Sequence, residues 1–228
     1  ILCSGSSERS LLFGNNDRPG IMLSRSVRQY CNRWGIIPGK KISIYTNNDD
    51  GWITAKDLKE AGCNVVMVID ERPDIIPPIN NVDYRLGKKV VETKGSLRIS
   101  SIKLDDGTKV ETDCLAVSGG FNPNVHLTCH ERGRPQWQEK NQCFIPGNIP
   151  KGMEVVGAAS GVFDLKNIFE ETSLKMKNIL AYLGYKHKKV IKLTTDHTPY
   201  NVSTFSKSLA KGKVWIDLQN DVTIKDIK

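Results

Sequence analysis

Five consecutive small residues form the segment of this chain best suited to binding a ligand. They are Gly157, Ala158, Ala159, Ser160 and Gly161. A β-branched stretch precedes them and an amphipathic stretch follows, which predicts a strand, a tight turn and then a helix. A turn without bulky side chains lets a ligand lie against the backbone, where unpaired N–H groups and the positive end of the helix dipole favour a phosphate. The pattern indicates binding of a dinucleotide or another phosphorylated ligand, although such a turn also serves close packing in α/β proteins.

A second candidate turn follows the predicted strand at residues 41–46. A helix is predicted at 52–61 and a further strand at 65–69, and the latter ends in Asp70, so the unit has the element order of a nucleotide-binding half. Where glycines would be needed, however, the chain has Asn47, Asn48, Asp49 and Asp50. Carboxylates cap a helix well, but they repel a pyrophosphate and fill the space that glycines leave open. We therefore expect a Rossmann-like unit with a degenerate nucleotide site.

Composition narrows the classes of function. The chain has 228 residues, 39% hydrophobic and 25% charged, with a net charge of +8. Those values are typical of a soluble globular protein, and no apolar run approaches the ~20 residues that span a bilayer. Lysines are enriched in the last quarter without interleaved aromatic residues, which favours a solvated face or a surface for an acidic partner. We predict no nucleic-acid and no membrane partner.

Cysteine usage predicts a reducing compartment. The six cysteines are scattered without a C-x-x-C pair, as expected for reduced thiols in a cytoplasmic protein. Cys129 lies between His126 and His130, but no second ligand pair has a usual zinc spacing. We predict no metal site.

The remaining elements would position these turns. Helical spacing predicts a helix over 21–34, and an Asp-Asp-Gly turn at 105–107 predicts a hairpin of 97–104 with 109–112. A strand over 110–116 leads to Ser118-Gly119-Gly120, the helix after Gly161 runs to about 184, and 214–217 is a last short strand. Both ends of the chain fall within predicted elements, which indicates that the chain is an internal piece of a longer polypeptide.

Three small-residue turns, at 2–6, 116–120 and 156–160, each end an apolar strand, and the unit at 41–70 lies between the first and the second. This order resembles the two-dinucleotide-binding-domain flavoproteins, the pyridine nucleotide–disulfide oxidoreductases. Five segments together resemble the α subunits of heterotetrameric sarcosine oxidases over essentially the whole chain: E-R at 8–9, N-N-D-R-P-G at 15–20, T-N-N-D-D at 46–50, S-G-G-F-N-P at 118–123 and D-L-Q-N-D-V-T-I-K-D-I at 217–227.

The resemblance implies an α/β, Rossmann-like FAD/NAD(P)-binding fold. Residues 1–36 and 110–184 would belong to a partial large dinucleotide-binding domain, with a small domain inserted at 37–109. A connector would span 185–213, and 214–228 would begin a small ferredoxin-like module. Several relatives carry a Cys-x-Cys pair there for an iron–sulfur cluster, whereas this chain has Asp217 and Gln219, so no cluster is expected.

The resemblance also implies a function. Sarcosine would be oxidised by O2 to glycine and H2O2, with the one-carbon unit passed to tetrahydrofolate. This subunit would hold NAD, while FAD and FMN would lie mainly on the partner subunit; beta, gamma and delta subunits would be the partners, and no catalytic residue is expected here. The main phosphate fingerprint would lie upstream of Ile1. The residues expected to contact the dinucleotide are Ser4, Gly5, Ser6, Gly157, Ala158, Ala159, Ser160, Leu165 and Asn167.

The sequence leaves two alternatives open. One is an FAD-binding subunit of a related proline or opine-type dehydrogenase. The other is a non-catalytic scaffold that bridges subunits.

Overall fold

The computed structural model describes residues 1–186, 200–203 and 207–227. The strands in these ranges are β1 (Ser6–Glu8), β2 (Ile21–Leu23), β3 (Ile42–Thr46), β4 (Val65–Asp70), β5 (Tyr84–Leu86), β6 (Val90–Lys94), β7 (Ser101–Leu104), β8 (Lys109–Glu111), β9 (Cys114–Ser118), β10 (Phe121–Pro123), β11 (Gln136–Gln138), β12 (Cys143–Ile145), β13 (Trp215–Asp217) and β14 (Val222–Thr223). The α-helices are α1 (Ser24–Trp34), α2 (Asp49–Glu60) and α3 (Leu165–Tyr182). Short 3-10 turns lie at His126–Arg132, Glu139–Asn141, Gly157–Ser160 and Ile224–Asp226.

The chain divides into two compact units. Unit 1 comprises Ile1–Ser7 and Phe121–Val202, and unit 2 comprises Glu8–Gly120 and Ser203–Lys228. These limits differ from the ranges expected from sequence, because β2 and α1 lie in unit 2. Assigning the units to a dinucleotide domain and an inserted domain remains a prediction.

Unit 2 is built on a parallel sheet with strand order β2-β9-β3-β4-β5. The central strands β3 and β9 are buried at every position, as expected for a sheet covered on both faces. One apolar cluster joins the sheet to α1 and α2 through Val27, Ile44 and Trp52. The other joins it to the antiparallel sheet β6-β7-β8 through Tyr45, Ile102 and Leu115.

Most elements predicted for unit 2 are confirmed. The β3–α2–β4 unit is present, although α2 begins at Asp49 rather than 52 because Asn48 caps it. The hairpin pairs Ser101–Leu104 with Lys109–Glu111. The helix predicted over 21–34 is wrong in its first three residues, since Ile21–Leu23 pairs with β9. The strand predicted over 110–116 is divided between β8 and β9.

The last short strand, predicted at 214–217, is confirmed as β13. It pairs with β14, and Asn16 holds it through both backbone groups of Trp215: the Asn16 amide donates to the Trp215 carbonyl at 2.8 Å, and its oxygen accepts from Trp215 N–H at 2.9 Å. The predicted connector at 185–213 falls partly on 187–199 and 204–206, outside the described residues.

Unit 1 contains α3, the β11–β12 hairpin and a parallel bridge between Leu2 and Val155. The strand expected before Gly157 is reduced to this bridge. The rings of Phe121, Phe163 and Tyr200 form a cluster with centroids 5.0–5.5 Å apart. Within the described residues, no helix combines the length and hydropathy that crossing a membrane requires.

Candidate functional site

The bridge between Leu2 and Val155 brings two of the predicted turns to one edge of unit 1. Leu2 N–H donates to Glu154 O at 2.7 Å, and Val156 N–H donates to Leu2 O at 3.0 Å. Because the two segments run parallel, the turn at residues 4–6 and the turn at Gly157–Ser160 both follow the bridge at the same end. The structure thus associates the two groups of residues that sequence predicted separately.

Glycine is required by backbone geometry at both ends of the Gly157–Ser160 turn. Gly157 has φ +72°, a left-handed conformation that side chains disfavour, yet a Cβ there would meet nothing closer than 3.7 Å. Gly161 has φ +86°, and a Cβ there would lie 2.5 Å from Ile145 Cγ2. The first N–H groups of such a helical turn have no acceptor within the turn itself. A turn of this kind, without bulky side chains, fits a diphosphate.

The two alanines of this turn differ in environment. Ala159 is fully buried, whereas Ala158 is partly exposed. The methyl group of Ala159 therefore packs into the protein and supports the turn. Ala158 is the alanine whose side chain a bound ligand could touch.

Ser160 ties the turn to α3. Its Oγ lies 2.8 Å from Gly157 O and 2.8 Å from Glu171 Oε2. Lys175 completes the connection, with Nζ 2.9 Å from Glu171 Oε1 and 2.6 Å from Val155 O. The hydroxyl of Ser160 thus has an internal role, in addition to any contact with a ligand.

Asn124 organises the turn at residues 4–6. Its backbone N–H donates to Gly5 O at 3.0 Å, and its side-chain amide donates to Ser4 O at 2.9 Å. Ser4 Oγ donates in turn to Asn124 O at 2.8 Å. Gly5 has φ +72° with open space around its Cβ position, and Ser6 begins β1. Sequence reasoning missed Asn124, although it directly follows the recognised segment at 118–123 and an asparagine after a proline is a turn signal.

A cavity of about 490 Å³ lies in unit 1 at the start of α3. Residues from three segments line it, among them Gln138, Asn141, Phe163, Asp164, Asn167 and Tyr200. Asn167 was among the predicted ligand contacts, whereas the others were not. Leu165 is about half exposed (49%) and is not part of the lining.

Asp164 changes what the N-terminus of α3 can bind. It is 6% exposed, and its Oδ1 accepts the N–H of Asn167 at 2.8 Å, so it is the N-cap of the helix. A carboxylate at this point offsets the positive end of the helix dipole and repels a phosphate. The expectation that this helix end attracts a phosphate therefore does not apply to α3 itself.

The corresponding turn of unit 2 is filled with side chains. Asn48 is completely buried; its Oδ1 accepts from Asp50 N–H at 3.0 Å, and its amide donates to Ser118 O at 2.9 Å. A Cβ on Gly51 would lie 2.4 Å from Thr46 Cβ. The segment between β3 and α2 is thus packed against the end of β9, which supports the prediction of a degenerate nucleotide site.

An ion-pair network reinforces the same turn. Asp70 at the end of β4 is fully buried and accepts from Trp52 Nε1 at 2.8 Å and from Arg72 Nη2 at 2.8 Å. Arg72 also contacts Asp49, with Nη1 2.6 Å from Oδ1. The acid that ends the second strand of this unit, where a Rossmann half would bind a ribose, is therefore committed to internal partners.

Glu8 of unit 2 is a carboxyl group in an unusual environment. Its Oε2 accepts the N–H of Arg25 in the first turn of α1 at 3.0 Å. Burial raises the pKa of the Glu8 carboxyl to about 7, and the nearby Asp50 carboxylate adds to the increase. Within the described residues, no three His, Cys, Asp or Glu side chains are grouped in a way that could hold a metal ion.

Comparison with known proteins identifies relatives over the whole chain. No family model matches. The chain is 37% identical to the sarcosine oxidase subunit alpha of Rhizobium meliloti (strain 1021) over 240 residues, which covers 100% of this chain and 24% of that protein. It is 36% identical to the subunit alpha of Corynebacterium sp. (strain U-96), covering 72% of this chain and 18% of that protein. The chain therefore spans about a quarter or less of the length of these curated relatives.

Solved structures confirm the fold class. L-proline dehydrogenase from P. horikoshii superposes with a TM-score of 0.63 at 19% identity, covering 82% of this chain and 35% of that one. The ferredoxin reductase for the CYP199A2 system from Rhodopseudomonas palustris gives a TM-score of 0.56 at 15% identity, covering 84% and 53%. The α/β, Rossmann-like fold predicted from sequence is thus confirmed. The sequence identities, independently of the structures, show that the chain belongs to the family of sarcosine oxidase alpha subunits.

Proposed function

We propose that this chain is the NAD-binding part of a subunit of a sarcosine-oxidising complex. The complex oxidises sarcosine with O2 to glycine and H2O2 and passes the one-carbon unit to tetrahydrofolate. This chain contributes to nucleotide binding and supplies no group that attacks sarcosine. Its partners are the beta, gamma and delta subunits in the cytoplasm, and FAD and FMN lie mainly on the partner subunit.

The proposal rests on a difference between the two candidate turns. The turn at Gly157–Ser160 offers bare backbone beside a cavity, whereas the turn before α2 is packed with buried amide and acid groups. A reductase that passes hydride from a nicotinamide nucleotide to a bound flavin needs two dinucleotide sites. A chain with one open and one filled site is suited to holding a single dinucleotide.

The residues that would hold the nucleotide differ in the part of the nucleotide that they contact. The backbone of Gly157, Ala158 and Ser160 faces the diphosphate, and the turn of Ser4, Gly5 and Ser6 lies at the same edge. Asn167 lies at the cavity, where a sugar or a ring would bind. When bound, NAD brings a positively charged pyridinium ring, and its role is structural, since hydride transfer to a flavin would need the second site that is filled here. This chain positions the nucleotide and keeps water from part of it.

Extraction of the cofactor tests the proposal. The complex is purified, its full-length subunits are separated under conditions that keep nucleotides bound, and the cofactor then released from this subunit by denaturation is identified by absorbance and mass. We expect a colourless nicotinamide dinucleotide, about one per subunit. A yellow flavin in this subunit would instead support a dehydrogenase of the FAD-binding type. Absence of any nucleotide from an intact complex would support a scaffold.

A further inference from the structure

The cavity at the start of α3 has a chemical character distinct from that of the glycine turn. Of the residues that line it, Asp164 and Lys140 carry charge, and Asp164 is 6% exposed whereas Lys140 is exposed to solvent. Water screens the charge of an exposed lysine strongly and that of a buried carboxylate weakly. The interior of the cavity is therefore dominated by negative charge.

A glutamine oxygen and two aromatic rings also line the cavity, together with Val162 and three asparagine side chains. Gln138 Oε1 is buried and has no hydrogen-bond partner within the described residues, and it lies 3.6 Å from the Cβ position of Gly161. Phe163 and Tyr200 form one wall, with ring centroids 5.0 Å apart. A buried acceptor without a partner is costly, so a ligand that brings an N–H or O–H donor would be favoured.

These features fit one part of a dinucleotide better than the others. The Asp164 carboxylate disfavours a phosphate, and a neutral ring would gain nothing from the charge of this carboxylate. A planar cation with an amide donor and sugar hydroxyls matches the carboxylate, the Gln138 oxygen and the aromatic wall together. We propose that this cavity binds the nicotinamide riboside half of oxidised NAD, and that Asp164 makes the site prefer the oxidised to the reduced nucleotide. The proposal rests on the function proposed above.

Binding measurements on the full-length subunit in its complex, stripped of nucleotide, test the proposal. NAD, NADH and ADP-ribose are titrated separately by calorimetry. Because reduction removes the positive charge of the ring, we expect NAD to bind on the order of tenfold more tightly than NADH. ADP-ribose, which lacks the nicotinamide ring, should also bind more weakly than NAD.

Two variants test the roles of Asp164 and Gln138, and a third serves as a control. Asp164→Asn keeps the helix cap, since asparagine caps as well as aspartate, and should bring the ratio of NAD to NADH affinity close to one without a change in melting temperature. Gln138→Leu should weaken the binding of NAD several-fold and leave the affinity for ADP-ribose unchanged. Lys140→Gln is the charge control and should leave the ratio unchanged or raise it.

The outcomes separate this inference from the proposed function. Equal affinity for NAD and NADH, unaltered by Asp164→Asn, would overturn the inference while NAD binding itself stands. ADP-ribose binding as tightly as NAD would also overturn it. A wild-type complex that binds none of the three nucleotides would contradict the proposed function instead.

Discussion

The side-chain amide of Asn48 donates to the backbone carbonyl of Ser118 at 2.9 Å, which joins the carboxyl ends of two neighbouring parallel strands. In open α/β sheets, this edge is where ligands bind, in the crevice outside the strand ends. Here a side chain of the protein itself occupies the position. The contact explains why unit 2 can have a Rossmann-like order of elements without a binding site for a pyrophosphate.

Asn48 should therefore be a stability residue. Asn48→Ala removes the cap of α2 and leaves the buried oxygen of Ser118 without this donor, so we expect a loss of about 2–3 kcal/mol in the free energy of unfolding. Urea unfolding of this chain measures the loss. Asn32→Ala is the matched control, because Asn32 donates to Asp57 at an exposed position and should cost less than about 0.5 kcal/mol. Equal effects of the two substitutions would show that Asn48 does not hold the strand ends together.

Gly161 and Gly184 allow packing to be separated from backbone strain. Both have positive φ, +86° and +81°, so alanine should cost each about 1 kcal/mol in conformational strain. A Cβ at Gly161 would meet Ile145 Cγ2 at 2.5 Å, whereas a Cβ at Gly184 would meet open space. We expect Gly161→Ala to cost about 1–3 kcal/mol more than Gly184→Ala, measured by thermal unfolding. If Gly184→Ala proved the more damaging, the packing assigned to Gly161 would be wrong.

Glu8 should make the stability of unit 2 depend on pH. Its pKa in the folded protein is raised to about 7 from 4.5, so between these values the folded state binds more protons than the unfolded state. Stability should therefore fall as the pH rises from about 4.5 to about 7, by up to about 3 kcal/mol, and this contribution should not change further above pH 8. Glu8→Gln should remove this part of the pH dependence. Urea unfolding at pH 5, 6, 7 and 8 compares the two proteins, and parallel curves would contradict the raised pKa.

Much of the fold could be predicted because its hydrophobic pattern is periodic. The buried runs at 42–46 and 65–70 and the helix between them are unambiguous, and the Asp-Asp-Gly turn indicated the hairpin. The strand Ile21–Leu23 was missed, because three apolar residues before a helix have no period of their own and only pairing with β9 makes them a strand. The compact units were also not predictable, since they depend on that pairing.

The candidate site was predictable only in part. The small residues at 157–161 predict a tight turn, which the structure confirms, whereas their role in binding stays a prediction. Asp164 looks from sequence like an ordinary helix cap, and nothing in the chain indicates that Gln138 and Tyr200 lie beside it. Those three residues come from separate segments, so their shared cavity is a product of tertiary packing.

The most direct test of the account compares one substitution in each turn of the full-length subunit. Ala158→Leu places a larger side chain at the partly exposed position of the glycine turn, while Asp49→Ala removes a carboxylate from the filled turn of unit 2. The measurement is nucleotide released per subunit from each purified complex, with melting temperature as the control for folding. We expect loss of most of the nucleotide in Ala158→Leu and a wild-type amount in Asp49→Ala. Full nucleotide content in Ala158→Leu, or loss confined to Asp49→Ala, would contradict the assignment of the site to unit 1.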